Sequence, residues 1–384
     1  MSKKICICTT LSVTLKSFVL ATAEYLRDQC GYDITLVCAP DEGFKELVPN
    51  GVKYHPVNMA RGIDIKAVRS IKELTDFFKT ERFDMVQYST PNASMYASIA
   101  AKKARVPIRL YCQWGIRYTG MTGVSRYIFK QVERLTCRLS TDIRSVSPMN
   151  RQFGINEGLY PADRVSVVGN GGTIGVDFNK YDITNFVQKR GAQRERYKIP
   201  QNTFTFGFCG RISKDKGSNE LLRAFKRLVE EDCAAYLVLI GNTEANPGMD
   251  DELLNWATSS PKVIHTGKIP EQFMHDAYPL IDILVHPTYR EGFGMVIQEA
   301  GALGIPCITT KITGASEVMV DGESCLLVEP KNTDELYKAM RKLYEDRELV
   351  KKLGEAAYLR TRTLYERSIM LENQRKDYVS LLGE

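Results

Sequence analysis

The sequence predicts an α/β protein made of two Rossmann-like domains, each a parallel sheet flanked by helices, facing one another across a cleft. Three observations predict it. Short β-rich runs alternate with helix-length amphipathic segments, the pattern of strands joined by helical crossovers. A polar, charged stretch over about 169–202, beginning NGGTIGVDFNKYD, carries no strand run and reads as the linker. At 384 residues, 43% of them hydrophobic and 26% charged, the chain is too long for one ordinary core and suits two.

Each strand rests on its own run. Before the linker, KICIC (4–8), DITLVC (33–38), VKYHPV (52–57), MVQYS (85–89), IRLYCQ (108–113), DIRSVS (142–147) and VSVVG (165–169) make seven. After it, TFTFGFC (203–209), AYLVLIG (235–241), VIHTG (263–267), DILVHPT (282–288), PCITT (306–310) and SCLLV (324–328) make six. Most are near-continuous apolar runs, as parallel strands covered by helices on both faces require. The predicted domains are 1–169 and 170–366, followed by a final helix over 367–384.

Composition excludes several classes. No uninterrupted apolar run approaches the roughly 18 to 20 residues of a membrane-spanning helix. The N-terminus imitates a signal peptide, but Lys16 and several Thr and Ser interrupt its apolar region. The ten cysteines include no CxxC pair and read as reduced thiols of a cytoplasmic protein. Four histidines lie near no Cys or His at ligand spacing and no DxD occurs, so no metal site is predicted and no cofactor is implied. Charge is uneven, +9 over residues 1–180 and −3 over the remainder. Arg126, Lys130, Arg134 and Arg138 recur every fourth residue with Tyr127, Ile128, Phe129, Val132 and Leu135 between them. Such a helix suits an anionic membrane surface, an anionic substrate to be steered, or a solvated basic face. No nucleic-acid partner is expected.

Two segments carry chemistry. GRISKDKG (210–217) follows the strand TFTFGFC and precedes an amphipathic helix. Its glycines, Arg211, Lys216 and the helix start make an anion site suited to a diphosphate, with a solvated basic loop as the plain alternative. The second, PTYREGFGMVIQEAGALGIP (287–306), follows the strand DILVHP. Gly292 and Gly294 permit close backbone approach, a helix begins near Gly294, and Gly304 with Pro306 ends it. Glu291 stands just before the helix amides and Glu299 one or two turns in. Carboxylates there suit sugar hydroxyls, which are donors that need acceptors; Glu299 is otherwise an ordinary helix residue. Neither a Walker A sequence nor a true GxGxxG occurs, which weakens P-loop and dinucleotide readings.

GRISKDKG, AYLVLIGN, HTGKIP, EGFGMVIQEA and GIPCITT, in this order and spacing, resemble the retaining family 4 glycosyltransferases over nearly the whole chain. The resemblance implies a GT-B fold with a seven-stranded acceptor domain, a six-stranded donor domain and a final helix, about 367–382, crossing back to the first domain. It implies that Arg211 and Lys216 hold a donor diphosphate, Glu291 the donor sugar and Glu299 the ribose. Gly210 and the backbone amides of Phe293, Gly294, Met295 and Val296 would join them, and Lys268 and Ile269 would line the base pocket. Arg211, Lys216 and Glu291 are the catalytic expectation, and metal independence follows from the missing ligand clusters.

The first domain is most similar to bacterial enzymes of capsule, O-antigen or other lipid-linked glycan synthesis. That implies a UDP-sugar donor, a polyprenyl diphosphate-linked acceptor, and a cytoplasmic enzyme peripheral on the inner membrane face. TTLSVTLK (9–16), STPNAS (89–94) and YCQWGIRY (111–118) sit at three strand ends. There Thr10, Ser12, Thr90, Asn92, Trp114 and Arg117 would line the acceptor side. Many relatives place a histidine where this chain has Trp114; the indole either stacks on a sugar or is a core tryptophan. A nucleotide-sugar epimerase of the same fold and a non-catalytic nucleotide-sugar binding protein are the alternatives.

Overall fold

The computed structural model describes residues 2–59, 66–243 and 248–384. The chain divides into two compact units, Met1–Ile174 with Ser368–Glu384, and Gly175–Arg367.

In the first unit seven parallel strands stand in the order β3-β2-β1-β4-β5-β6-β7. They are β1 (Lys4–Cys8), β2 (Asp33–Cys38), β3 (Lys53–Pro56), β4 (Met85–Tyr88), β5 (Ile108–Gln113), β6 (Asp142–Ser145) and β7 (Val165–Val167). Period-two alternation sends Ile5, Ile7, Ile34 and Leu36 into one core and Cys6, Cys8, Val37 and Val86 into another. With both faces covered, neither face needs polar residues, hence the unbroken apolar runs. The order reverses between β1 and β4, where the turn residues meet: Thr10 N donates to Thr90 Oγ1 at 2.8 Å. The final helix, Arg367–Leu382, joins this unit from Ser368 onward. Arg144 and Asp377 pair there at 2.8 Å, and Tyr378 bonds Gln87.

In the second unit six parallel strands stand in the order β10-β9-β8-β11-β12-β13. They are β8 (Thr205–Cys209), β9 (Tyr236–Ile240), β10 (Val263–Gly267), β11 (Ile283–His286), β12 (Cys307–Thr310) and β13 (Cys325–Val328). The reversal falls between β8 and β11, so ligands of an open parallel sheet belong beyond the carboxyl ends of those two strands. Both chemistry-bearing segments of the sequence begin there.

The boundary between the units, Ile174 to Gly175, falls inside the stretch read as a linker, but most of that stretch belongs to the second unit. It contains the helix Phe186–Arg196, whose Arg194 is fully buried and ion-paired with Asp282 at 3.2 Å. Arg194 also donates to the carbonyls of Gln201 and Thr203 at 2.8 and 2.7 Å, while Arg190 takes the other Asp282 oxygen at 2.6 Å. A polar sequence hides such a helix because what it buries is a guanidinium rather than an apolar stripe.

Candidate active site

The turn after β8 is a single 3-10 turn, Lys214–Lys216, closed by Gly217 at φ +70° before the helix Ser218–Glu230. Gly217 is obligatory on steric grounds too: a Cβ there would stand 2.0 Å from the Pro287 carbonyl oxygen. Pro287 opens the turn after β11, so the two turns lie backbone against backbone. Tyr289 N donates to Asp215 O at 2.9 Å, which fixes their register.

Four charged side chains pair across this seam in register. Lys216 Nζ stands 2.7 Å from Glu291 Oε2, and Arg290 Nη2 stands 3.3 Å from Asp215 Oδ2. Arg211 Nη2 lies 3.3 Å from the same Asp215 oxygen. Glu291 Oε2 also meets Nε2 of His286, the last residue of β11, at 3.1 Å. Burial alone would raise the Glu291 pKa, but the His286 hydrogen bond and the Lys216 charge outweigh it and hold it well below the carboxylate range. Burial pushes the His286 pKa down, so the ring is neutral at pH 7 and donates from Nε2.

The helix after this turn spans Met295–Ala302, preceded by Gly294 at φ +27°. Ile297 N and Gln298 N bond to Gly294 O, which leaves Phe293, Gly294, Met295 and Val296 ahead of the first intrahelical bond. Gly301 seats this helix against Arg347–Tyr365, since a Cβ on it would lie 2.5 Å from Thr361 Oγ1. Glu299 accepts from Tyr278 Oη at 2.6 Å and also from the Tyr181 hydroxyl. Burial raises its pKa despite both tyrosine hydrogen bonds. The charge of Lys180 lowers it and that of Glu271 raises it, and Lys180 Nζ donates to Glu271 O at 3.0 Å. Lys268 and Ile269 lead into this segment from β10, Lys268 exposed and Ile269 half-buried.

In the first unit Thr10, Thr90, Asn92 and Arg117 come together. Thr10 Oγ1 and Thr90 Oγ1 are 2.7 Å apart, Ala93 N donates to Thr10 Oγ1 at 3.2 Å, and Arg117 Nη1 reaches Asn92 Oδ1 at 3.3 Å. Ser12 bonds Asp41 instead. Trp114 packs its ring 5.7 Å from Phe18 and borders a cavity of about 50 Å³ shared with Gln374, Asp377 and Tyr378. That volume suits water, not a sugar.

Sequence reasoning missed His286, Asp215, Arg290, Tyr278 and Tyr181. A lone histidine in an apolar strand and two tyrosines outside any motif carry no local signal. Only the Asp and Arg stood inside motifs already singled out.

Two family models together match most of the chain. "Glycosyl transferase 4-like domain" matches residues 15–171 and "Glycosyl transferases group 1" matches residues 189–360. The chain belongs to the GT-B glycosyltransferases. This glycosyltransferase is 28% identical to the capsular polysaccharide biosynthesis glycosyltransferase CapM of Staphylococcus aureus, covering 94% of this chain and 93% of that one. It is 22% identical, over 88% of this chain and 85% of the relative, to the UDP-Gal:alpha-D-GlcNAc-diphosphoundecaprenol alpha-1,3-galactosyltransferase of Escherichia coli. Among solved structures, a glycosyltransferase from Rickettsia africae superimposes with a TM-score of 0.81 at 19% identity, over 99% of both chains. HepE of Anabaena, in complex with UDP and glucose, gives 0.78 at 18% identity over 98% of this chain and 99% of that one. At such identities the two structures speak for the glycosyltransferase's fold alone.

Proposed function

We propose that the enzyme transfers a hexose or N-acetylhexosamine, with retention, from a UDP-sugar to a polyprenyl diphosphate-linked glycan. The observation that carries the reading is the Lys216–Glu291 pair at the β8/β11 reversal, a cation and a sugar-accepting carboxylate at one point of the sheet. The lipid-linked acceptor and UDP-sugar donor named for the Escherichia coli relative support the substrate class.

In this reading Arg211 and Lys216 bind the diphosphate beside Gly210. Glu291, held by His286, accepts hydroxyls of the donor sugar, and Glu299 accepts those of the ribose. The base lies along Lys268 and Ile269. As the glycosidic bond breaks, negative charge gathers on the leaving diphosphate, and the two cations with the amides of 293–296 stabilise it in place. The acceptor hydroxyl attacks the same face of an oxocarbenium-like centre, and its proton passes to the departing phosphate oxygen. Thr10, Ser12, Thr90, Asn92 and Arg117 serve the acceptor in the first unit, while Trp114 packs on Phe18 as a core residue, and the enzyme works at the cytoplasmic membrane face.

The test is incubation with UDP-glucose, UDP-galactose, their N-acetylhexosamine counterparts and GDP-mannose, with released nucleotide measured by mass spectrometry and Glu299→Ala as control. Slow release from one UDP-sugar, lost in the control and unaffected by EDTA, is expected. Binding of UDP with no cleavage of any donor, even with acceptor lipid present, would replace the transferase reading with a binding role. Activity abolished by EDTA and restored by manganese would overturn the metal-independent mechanism.

A further inference from the structure

Arg211 and Lys216 alone do not make the β8 turn attractive to a dianion, because Asp215 and Glu291 stand beside them and cancel their charge. Arg290 brings a further cation to the seam from the facing turn, in addition to the exposed Lys214 of the β8 turn. We propose that Arg290 is a third residue gripping the donor's diphosphate, with Asp215 as the positioning residue that holds the Arg290 and Arg211 guanidinium groups together until the anion arrives. The inference rests on the reading that this turn binds a nucleoside diphosphate.

The geometry is that of two forks on one peg. Arg211 Nη2 and Arg290 Nη2 both lie 3.3 Å from the single oxygen Asp215 Oδ2, so these nitrogens are no farther apart than twice that distance. Like charges so near repel, and the shared carboxylate is what offsets it. A tight guanidinium–carboxylate bond is about 2.7–2.9 Å, so both contacts to Asp215 are slack, and a planar fork carries more donors than one carboxylate oxygen takes. The two side chains are 48% and 49% exposed, so an incoming anion reaches them.

Asp215 is itself firmly placed. Its Oδ1 accepts from Ser213 Oγ at 2.6 Å and its main-chain oxygen accepts from Tyr289 N at 2.9 Å. Burial would raise its pKa, but the Ser213 hydroxyl and the guanidinium groups of Arg211 and Arg290 hold it below the ordinary value, so the peg stays charged. Arg290 directly precedes Glu291 and Asp215 directly precedes Lys216, so the second ion pair of the seam lies one residue further along both turns. A diphosphate offers several oxygens where Asp215 offers one, and planar forks take them in pairs.

The experiment is calorimetric titration of the full chain with UDP, and with uridine as the phosphate-free control, for wild type, Arg290→Ala, Arg290→Lys and Arg211→Ala. Thermal unfolding is followed for each. Arg290→Ala is expected to weaken UDP about 10- to 100-fold and to leave uridine within about twofold, with unfolding unchanged. Arg290→Lys keeps the charge without the fork and recovers part of the loss; it carries the same comparison if the alanine variant does not fold. Equal weakening of UDP and uridine would make Arg290 a structural residue and overturn the proposal. So would unaltered UDP binding by Arg290→Ala beside a selective loss in Arg211→Ala, which leaves the site reading standing. If wild type binds no UDP, or Arg211→Ala does not distinguish UDP from uridine, the site reading falls and this inference falls with it.

Discussion

Lys216 Nζ and Glu291 Oε2 stand 2.7 Å apart although 75 residues separate them in sequence. In the proposed reading one binds the diphosphate and the other the sugar, so the donor would enter a site whose two ends already hold each other. Lys216→Ala takes one charge from the diphosphate and leaves Glu291 with His286. The expected fall in kcat/KM is about 10- to 200-fold, the equivalent of one charge-assisted contact at about 1.5–3 kcal/mol. Unchanged steady-state kinetics would remove Lys216 from the mechanism.

Gly217→Ala separates the two turns. Its Cβ would meet backbone, the Pro287 carbonyl at 2.0 Å, and a backbone at φ +70° disfavours any side chain. Loss of more than about 2 kcal/mol of stability, or of nearly all activity at unchanged stability, is expected from such a clash. A variant with wild-type denaturant midpoint and wild-type turnover would contradict the seam as described.

Glu299 and Glu291 respond to pH in opposite senses. Glu291 is held down and stays ionised through pH 5–8, whereas Glu299 is raised by burial and takes up a proton more readily as pH falls. A protonated Glu299 is the poorer acceptor for a ribose hydroxyl. Uridine has no titrating phosphate, and its binding should strengthen from pH 5 toward pH 8 in wild type but stay flat in Glu299→Gln. The linkage to stability has the same origin: a carboxyl with a raised folded pKa costs stability above its unfolded pKa of about 4.3 and is relieved of that cost as pH falls. Glu299→Gln should therefore raise the melting temperature more at pH 8 than at pH 4. A pH-independent affinity in wild type would count against Glu299 as the ribose acceptor.

Arg194 is a structural guanidinium. Arg194→Ala removes a fully buried guanidinium, leaves Asp282 with Arg190 and the Thr205 hydrogen bonds, and strips the carbonyls of Gln201 and Thr203 of their donor. Destabilisation of about 3–5 kcal/mol is expected in urea unfolding, against about 1 kcal/mol or less for exposed Arg196→Ala. Equal midpoints for the two variants would show that the helix Phe186–Arg196 is not held by this residue.

The helix Gly123–Leu139 bears the basic stripe, but Glu157 ties down most of it. Lys130 pairs with Glu157 at 2.7 Å, Arg126 at 3.4 Å, and Arg134 bonds its carbonyl. Val124, Tyr127, Ile128 and Leu135 are exposed on the same helix, Val124 by 74%. Membrane attachment should therefore depend on these side chains as well as on charge. Cosedimentation with vesicles containing anionic lipid is expected for wild type and is reduced in the Val124→Ser, Ile128→Ser double variant. Equal recovery of both proteins with and without anionic lipid would dismiss the membrane role.

All thirteen strand runs stand where the alternation of apolar and polar segments puts them, and so do the turns at the ends of β8 and β11. Those features are local. A strand announces itself within five or six residues, and a glycine-bounded turn within eight. The helix within 169–202 was not legible, because its anchor is an arginine whose carboxylate partner lies 88 residues away.

The sequence by itself determined the two sheets, the parallel class and the two segments of chemistry, since each follows from residue order over a short span. Only the tertiary structure decided partnership: that Glu291 belongs with Lys216 and His286, Glu299 with Tyr278 and Tyr181, and Arg290 with Asp215. The physical reason is strand order. Placing β8 beside β11 makes neighbours of turns that sequence holds 75 residues apart, and no local pattern specifies which charges then meet.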